Sequence, residues 1–407
     1  MQKFLISRSI SHPRARWAKL ACHVMLGASM LVAGTVNAQQ PGTTYRQYEG
    51  TIGKIPIHAT LRTSMDLNWA EKLDGSYYYD SSGEPIGLSW SSTSKGITSM
   101  YENLSDNLSP TGKWQIQLKD QDVSGTWLSP SDDFSPTGTK TLQIQLHEIH
   151  PKGVADLEVL NFSSSWARSR GHQQLGVTNM LSLIQLKGEG EAIQKLNQNL
   201  RNEVFEKQFP FNPEDEKSNK AKPATPQIAD LENAMITVPP EKLDWDLAYV
   251  EEVSNRMDVV MNESDVLCIA NFFYAYTGGA HGNYSFQHSA FDIQTGEKID
   301  LHSMVKPGYE QKWTDLAEGI LRKRAGVAAN APMTDVGLFD DDLHLSSDWF
   351  VVPGGIGISY NPYEIASFAD GQIKLVLPWK DIQSDLVPGT PVDRLAKRFL
   401  SQSVTKD

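Results

Sequence analysis

The residues best suited to chemistry gather in one short stretch, Tyr274–Gly296, which reads YAYTGGAHGNYSFQHSAFDIQTG. It holds His281, His288 and Asp292, and Asp300 follows soon after. A histidine beside a carboxylate is minimal equipment for proton transfer near neutral pH. His281 with Asp292 or Asp300 would be such a pair, in a hydrolytic enzyme. A shared metal site is harder to build. His281 and His288 are seven positions apart, and an odd separation puts them on opposite faces of a regular strand. Only a bulge would reunite them. Asp300 and His302 share a face, yet zinc needs three or four converging ligands, and spacing fixes no third. The plainer reading of His281 is a turn histidine whose ring bonds a nearby backbone carbonyl.

Other candidates are weaker still. His147-Glu148-Ile149-His150 has one residue between the glutamate and the second histidine, where the helical zinc motif needs two. Cys268 sits in the apolar run Val266–Ala270 and reads as a buried, inert thiol. Asp340, Asp341 and Asp342 lack the alternating oxygens and distal glutamate of a calcium loop, so they read as a solvated run. No nucleophile elbow, phosphate loop or dinucleotide fingerprint stands in its required context. We therefore expect no cofactor and no metal, and binding rather than catalysis.

The elements that must position these residues come next. Gly278 and Gly279 supply positive φ at little cost, so the stretch reads as strand, tight turn and second strand. On that second strand Tyr284, Phe286, His288, Ala290 and Asp292 fall on one side. The run GGAHGNYS, followed by FDIQTGEKIDLHSMV and later by SYNPYEIASFADGQIKLVLPW, resembles the C-terminal domain of the RsiV-like family. That domain occurs in lysozyme-sensing anti-sigma factors and as an accessory module in some peptidoglycan deacetylases. The resemblance covers roughly the second half of the chain. It implies an α+β fold, an envelope setting and, as the most concrete partner, a lysozyme-type muramidase. It also implies a binding surface around Gly278, Gly279, His281, Asn283 and Tyr284, together with Tyr360, Tyr363 and Glu364. The chain shows no cytoplasmic sigma-binding segment followed by a membrane span, and no deacetylase catalytic domain.

The first 38 of the 407 residues read as a signal peptide: Lys3, Arg8, Arg14, Arg16 and Lys19, then an apolar stretch from Ala21 to Ala33, then Val36-Asn37-Ala38. The apolar stretch is too short for a membrane span, which takes about 20 residues. Without those 38 residues, 32 basic side chains face 49 acidic ones, a formal charge of −17 against −12 for the whole chain. Such acidity argues against nucleic-acid binding and suits a cationic partner. The expected location is periplasmic or secreted.

Residues 43–150 show eight short strand signals at near-regular spacing, an antiparallel meander that closes as a barrel or stays a curved sheet. Their Gly/aromatic punctuation reads as core and turns, with a sugar platform of Trp69, Trp90, Trp114 and Trp127 as the alternative. Residues 151–403 mix strands with helices at Glu191–Phe205, Trp313–Arg324 and Pro391–Phe399. A polar, proline-bearing loop is expected at 210–227. The fold class is α+β: a barrel-like β domain, then an α+β domain. The ligand expected from all this is a cationic protein such as lysozyme, or a cell-wall glycan. A purely structural envelope module is the remaining alternative.

Overall fold

A computed structural model describes residues 43–65, 71–103, 110–130, 140–208, 225–235 and 250–404. The expected signal peptide, Trp69, and the expected loop as far as residue 224 lie outside the described residues.

Eight strands form a closed antiparallel barrel, in which each strand pairs with its chain neighbours and β1 with β8. They are β1 (Thr44–Ile52), β2 (Ile55–Met65), β3 (Glu71–Tyr79), β4 (Ile86–Ser94), β5 (Ile97–Asn103), β6 (Gly112–Lys119), β7 (Asp122–Leu128) and β8 (Thr141–Ile149). Closure gives every strand a partner on each side, although β3 and β4 pair only at Gly75–Tyr77 with Ile86–Leu88. The interior is filled by Tyr48, Ile57, Leu61, Tyr77, Met100, Trp114 and Ile116 among others. Trp114 is therefore core, as the packing reading expected. Glu102 is buried beside it and accepts hydrogen bonds from Tyr77 Oη, Trp127 Nε1 and Thr111 Oγ1. Those bonds satisfy a polar group that would otherwise be costly inside a barrel.

A six-stranded sheet follows, in the order β14-β13-β12-β11-β10-β9. Its members are β9 (Leu157–Arg170), β10 (Gln173–Leu186), β11 (Val250–Glu263), β12 (Val266–Tyr276), β13 (Asn283–Asp292) and β14 (Lys298–Ile299). β11, β12 and β13 pair antiparallel, whereas β10 and β11 run parallel. Helices α1 (Glu191–Gln208) and α2 (Ile228–Met235) lie between these strands in the chain, which permits the return. The sequence reads Asn262-Glu263-Ser264 as the turn after β11. Ser264 and Asp265, both at positive φ, make it, and Asn262 and Glu263 are strand rather than turn. One sheet face packs Met257, Leu267, Ile269 and Phe291 with Leu196, Leu200 and Val204 of α1.

The other face meets a three-stranded sheet, β15 (Trp349–Val352), β16 (Gly355–Tyr360) and β17 (Ile373–Pro378), backed by α3 (Glu310–Ala325), α4 (Trp379–Ile382) and α5 (Pro391–Val404). Trp313, Val351, Ile356, Ile358, Leu375 and Trp379 share a core there with Met261, Cys268 and Ala290. Burial in it pushes the Cys268 thiol up to about 12, as fits an inert thiol.

Beyond the two residues paired with β14, the outer edge of β13 is met by side chains. Asp348 Oδ1 accepts from His288 N at 2.7 Å, and its Oδ2 lies 2.8 Å from His288 Nδ1. Asn361 accepts from Phe286 N at 2.6 Å and donates to Phe286 O at 3.0 Å. Asp348 and Asn361 flank the β15–β16 hairpin, so two side chains do the work of a missing strand.

Polar contacts tie the barrel to the sheet. Arg62 holds Asp74 through both carboxylate oxygens at 2.7 Å and reaches Asp258 of β11 at 2.6 Å. Tyr78 donates to Glu263 at 3.0 Å. At the β3–β4 and β15–β16 turns, Gly354 N donates to Gly83 O at 3.0 Å.

Glu263 gives this seam a pH signature. Burial raises its carboxyl above the ordinary value, against the opposing pull of the Tyr78 hydroxyl, His58 and Arg398. The folded protein thus holds this proton more tightly than the unfolded chain. Its contribution is fullest below about pH 4.3, the ordinary Glu value, and is lost as pH rises through the folded-state pKa. Glutamine keeps an acceptor for Tyr78 and has no proton to lose. Glu263→Gln should therefore raise Tm relative to the parent at pH 8 and give no gain at pH 4. An equal shift at both pH values would contradict the assignment.

Candidate functional site

Beyond the core, the face of the sheet toward the three-stranded layer turns aromatic. Register explains the rows. Phe286 on β13 faces Phe272 on β12, which faces Arg256 on β11. One step along, Tyr284 faces Tyr274. Phe272 and Phe286 have ring centroids 5.0 Å apart, and Arg256 Cζ sits 4.9 Å over Phe272, which is cation–π geometry. Tyr284 stands edge-on to Phe286 at 6.0 Å.

The surface is extended by the turn after β16. Phe368 stands 5.6 Å from Tyr284 and stacks on the His281 ring at 4.2 Å and 20°. Tyr363 lies 5.6 Å from Phe368. Ser367 and Asp370 form a capping box around Phe368, with Ser367 Oγ 2.6 Å from Asp370 Oδ2. Rings from 272 to 368 thus make one continuous track. Its outer end is open: His281 is exposed and Tyr363 is 59% exposed. Tyr363 also holds φ at 69°. A bulky residue in the left-handed region is strained, and such strain concentrates at functional sites.

The sequence-derived surface residues divide clearly. His281, Tyr284 and Tyr363 come together through Phe368. Gly278 and Gly279 form the adjoining turn at φ 99° and 94°, and Tyr276 Oη donates to Gly279 O. Asn283 is exposed at the start of β13. Glu364 Oε2 accepts from Asn361 N at 2.8 Å and so steadies the Tyr363 turn. Tyr360 departs from expectation. It is 1% exposed, and its hydroxyl donates to His344 O. It supports the turn from the core rather than standing on the surface.

The hydrolytic constellation is not assembled. His281 Nδ1 lies 2.9 Å from Gly282 O, as the turn reading expected. Asp292 is buried at the far end of β13 and accepts from Gln294 N and Thr295 N, closing its own turn. Nine steps of β13 at roughly 3.3 Å each, about 30 Å, separate Asn283 from Asp292. Asp300 accepts from His302 N at 3.2 Å, and the His302 ring stacks on Trp349. Among the described residues no group of three or more His, Cys, Asp or Glu is placed to hold a metal ion.

Phe368, Phe272 and Arg256 were missed from sequence. Phe272 follows once the hairpin register is fixed, because it is the cross-strand partner of Phe286. A lone phenylalanine in a turn, such as Phe368, carries no periodic signal.

The C-terminal part of this surface falls in a known family region. Residues 302–380 match DUF3298, a protein family of unknown function. The DUF3298 region contains Asp348, Asn361, Tyr363 and Phe368, and the glycine hairpin precedes it. Two solved structures are similar to the chain. One is a DUF3298 family member from Bacteroides fragilis, 17% identical over 61% of this chain and 100% of that one, with a TM-score of 0.45. The other is a DUF3298 family protein from Pseudomonas aeruginosa, 16% identical over 58% of this chain and 97% of that one, with a TM-score of 0.42. No curated protein matches. Among the described residues no helix is long and apolar enough to cross a membrane.

Proposed function

We propose that this is an exported cell-envelope protein that binds its ligand without catalysis, on the ring track that ends at His281, Phe368 and Tyr363. The observation that carries the reading is the strained, exposed Tyr363 set against the His281–Phe368 stack. Nothing in the core needs that ring outside. Aromatic faces backed by a rigid sheet suit the apolar faces of sugar rings, so a cell-wall glycan is the leading ligand.

A second reading has its own support. The excess of acidic side chains and the RsiV-like resemblance favour a cationic protein of the lysozyme type. Charge steering would then dominate encounter and weaken with salt. The periplasm, or the cell exterior, is the proposed location on either reading.

Titration of the purified protein with peptidoglycan oligosaccharides and with a lysozyme, each at low and high salt, tests both. Oligosaccharide binding that is nearly salt-independent, and is weakened at least about tenfold by His281→Ala, supports the glycan reading; tenfold corresponds to about 1.4 kcal/mol. Lysozyme binding that fades with salt supports the protein reading. Binding of neither at low salt rejects both.

A further inference from the structure

Remote from the ring track, a cleft of about 390 Å³ opens where the barrel, the β11–β12 turn and α5 meet. This is within the usual small-ligand range of about 300–1,000 Å³. Four separate stretches of chain build it: β1 to β3, the linker after β8, the end of β11, and α5. Domain junctions are favoured places for such sites.

The inner wall is a fixed polar assembly. His58 Nδ1 lies 2.7 Å from Asp80 Oδ1, and the His58 ring stacks on Tyr78 at 5.4 Å and 11°. Tyr78 in turn donates to Glu263 Oε2. These pairings settle the tyrosine hydroxyl and one glutamate oxygen. They leave Glu263 Oε1 with no hydrogen-bond partner among the described residues, and Glu49 only a long 3.9 Å approach to His58 Nε2. Lys152 and Arg398 also line the cleft and bring positive charge, Arg398 near enough to Glu263 to act on its carboxyl, and no side-chain hydrogen bond among the described residues engages either one. Leu395 and Phe399 of α5 add an apolar flank.

We infer that this cleft binds a small zwitterion of amino-acid or dipeptide size, its ammonium group between Glu263 and Glu49 and its carboxylate toward Arg398 and Lys152. Side chains of both signs in one cleft suit the two charged ends of such a ligand, and a guanidinium suits a carboxylate well. The pre-set His58–Tyr78–Glu263 wall means little reorganisation on binding. The inference stands apart from the ring track and from the function proposed there.

Calorimetry and thermal shift with the intact protein decide it, using glycylglycine at about 10 mM as probe. N-acetyl-glycylglycine and glycylglycinamide, which each lack one charge, are the controls. Glycylglycine should raise Tm by about 2 °C or more, and both blocked forms should fail. Glu263→Gln and Arg398→Gln should each weaken glycylglycine binding about tenfold or more while His281→Ala leaves it unchanged. Arg398 lies on the outer helix, so its variant keeps the test open if Glu263→Gln disturbs the seam. Absence of any shift with glycylglycine, equal shifts with a blocked form, or undiminished binding by both variants would each overturn the assignment.

Discussion

Gly354→Val should destabilise the protein by about 3 kcal/mol, the upper end of what overpacking usually costs. The reason lies in a backbone-to-backbone contact. A Cβ on Gly354 would stand 1.9 Å from Ser82 O, and one on Gly83 would stand 2.3 Å from Gly354 N. Neither neighbour is a side chain that can swing aside. Gly83 also holds φ at 62°, so it has a conformational reason to be glycine as well. Relief requires the β3–β4 turn of the barrel to part from the β15–β16 turn. Chemical denaturation measures the loss. Gly319→Ala is the matched control. It sits exposed within α3 with nothing near its would-be Cβ. It should gain up to about 1 kcal/mol from helix propensity. Equal effects from the two changes would refute the contact argument.

Tyr363→Gly should abolish most ligand binding and leave the protein as stable as before, or more so by about 1 kcal/mol. The ring is exposed and touches Phe368, so its removal forfeits little packing. The backbone at φ 69° relaxes once the Cβ is gone. A loss of affinity of about 2 kcal/mol, the size of an interface hot spot, corresponds to roughly thirtyfold. Tyr363→Ala separates the two effects: it removes the ring and keeps the left-handed strain, so it should lose the same binding without the gain in stability. Full binding by both variants would remove Tyr363 from the site. Marked destabilisation by Tyr363→Gly would mean that the residue serves the fold instead.

The barrel was legible because its local signals agree with its tertiary structure. Ile52 and Ile55 pair across Gly53-Lys54, and alternation carries Ile57, Ala59 and Leu61 inward from there. The glycine hairpin was legible for the same reason. Parallel pairing of β10 with β11 was not, since no local pattern states which way a strand returns after two helices. Ser163–Arg170 is polar and carries no strand signal, yet it forms the mostly exposed arm of β9. Of the surface residues, Tyr360 was misread although its place can be inferred: it continues the two-residue period of Ile356 and Ile358, which puts it with the core. The site itself depends on Phe368, and only the folded chain brings that residue to His281.

The side-chain bonds along β13 have a mechanical consequence. A ligand fixed to a large wall or particle would pull on the Tyr363–Phe368 turn. That load would pass into β13 through the pair of bonds that Asn361 makes with Phe286. Two such bonds yield far more readily than a full strand ladder drawn along its length. Under tension this turn should peel away first and let go of its cargo, while the barrel behind it stays whole.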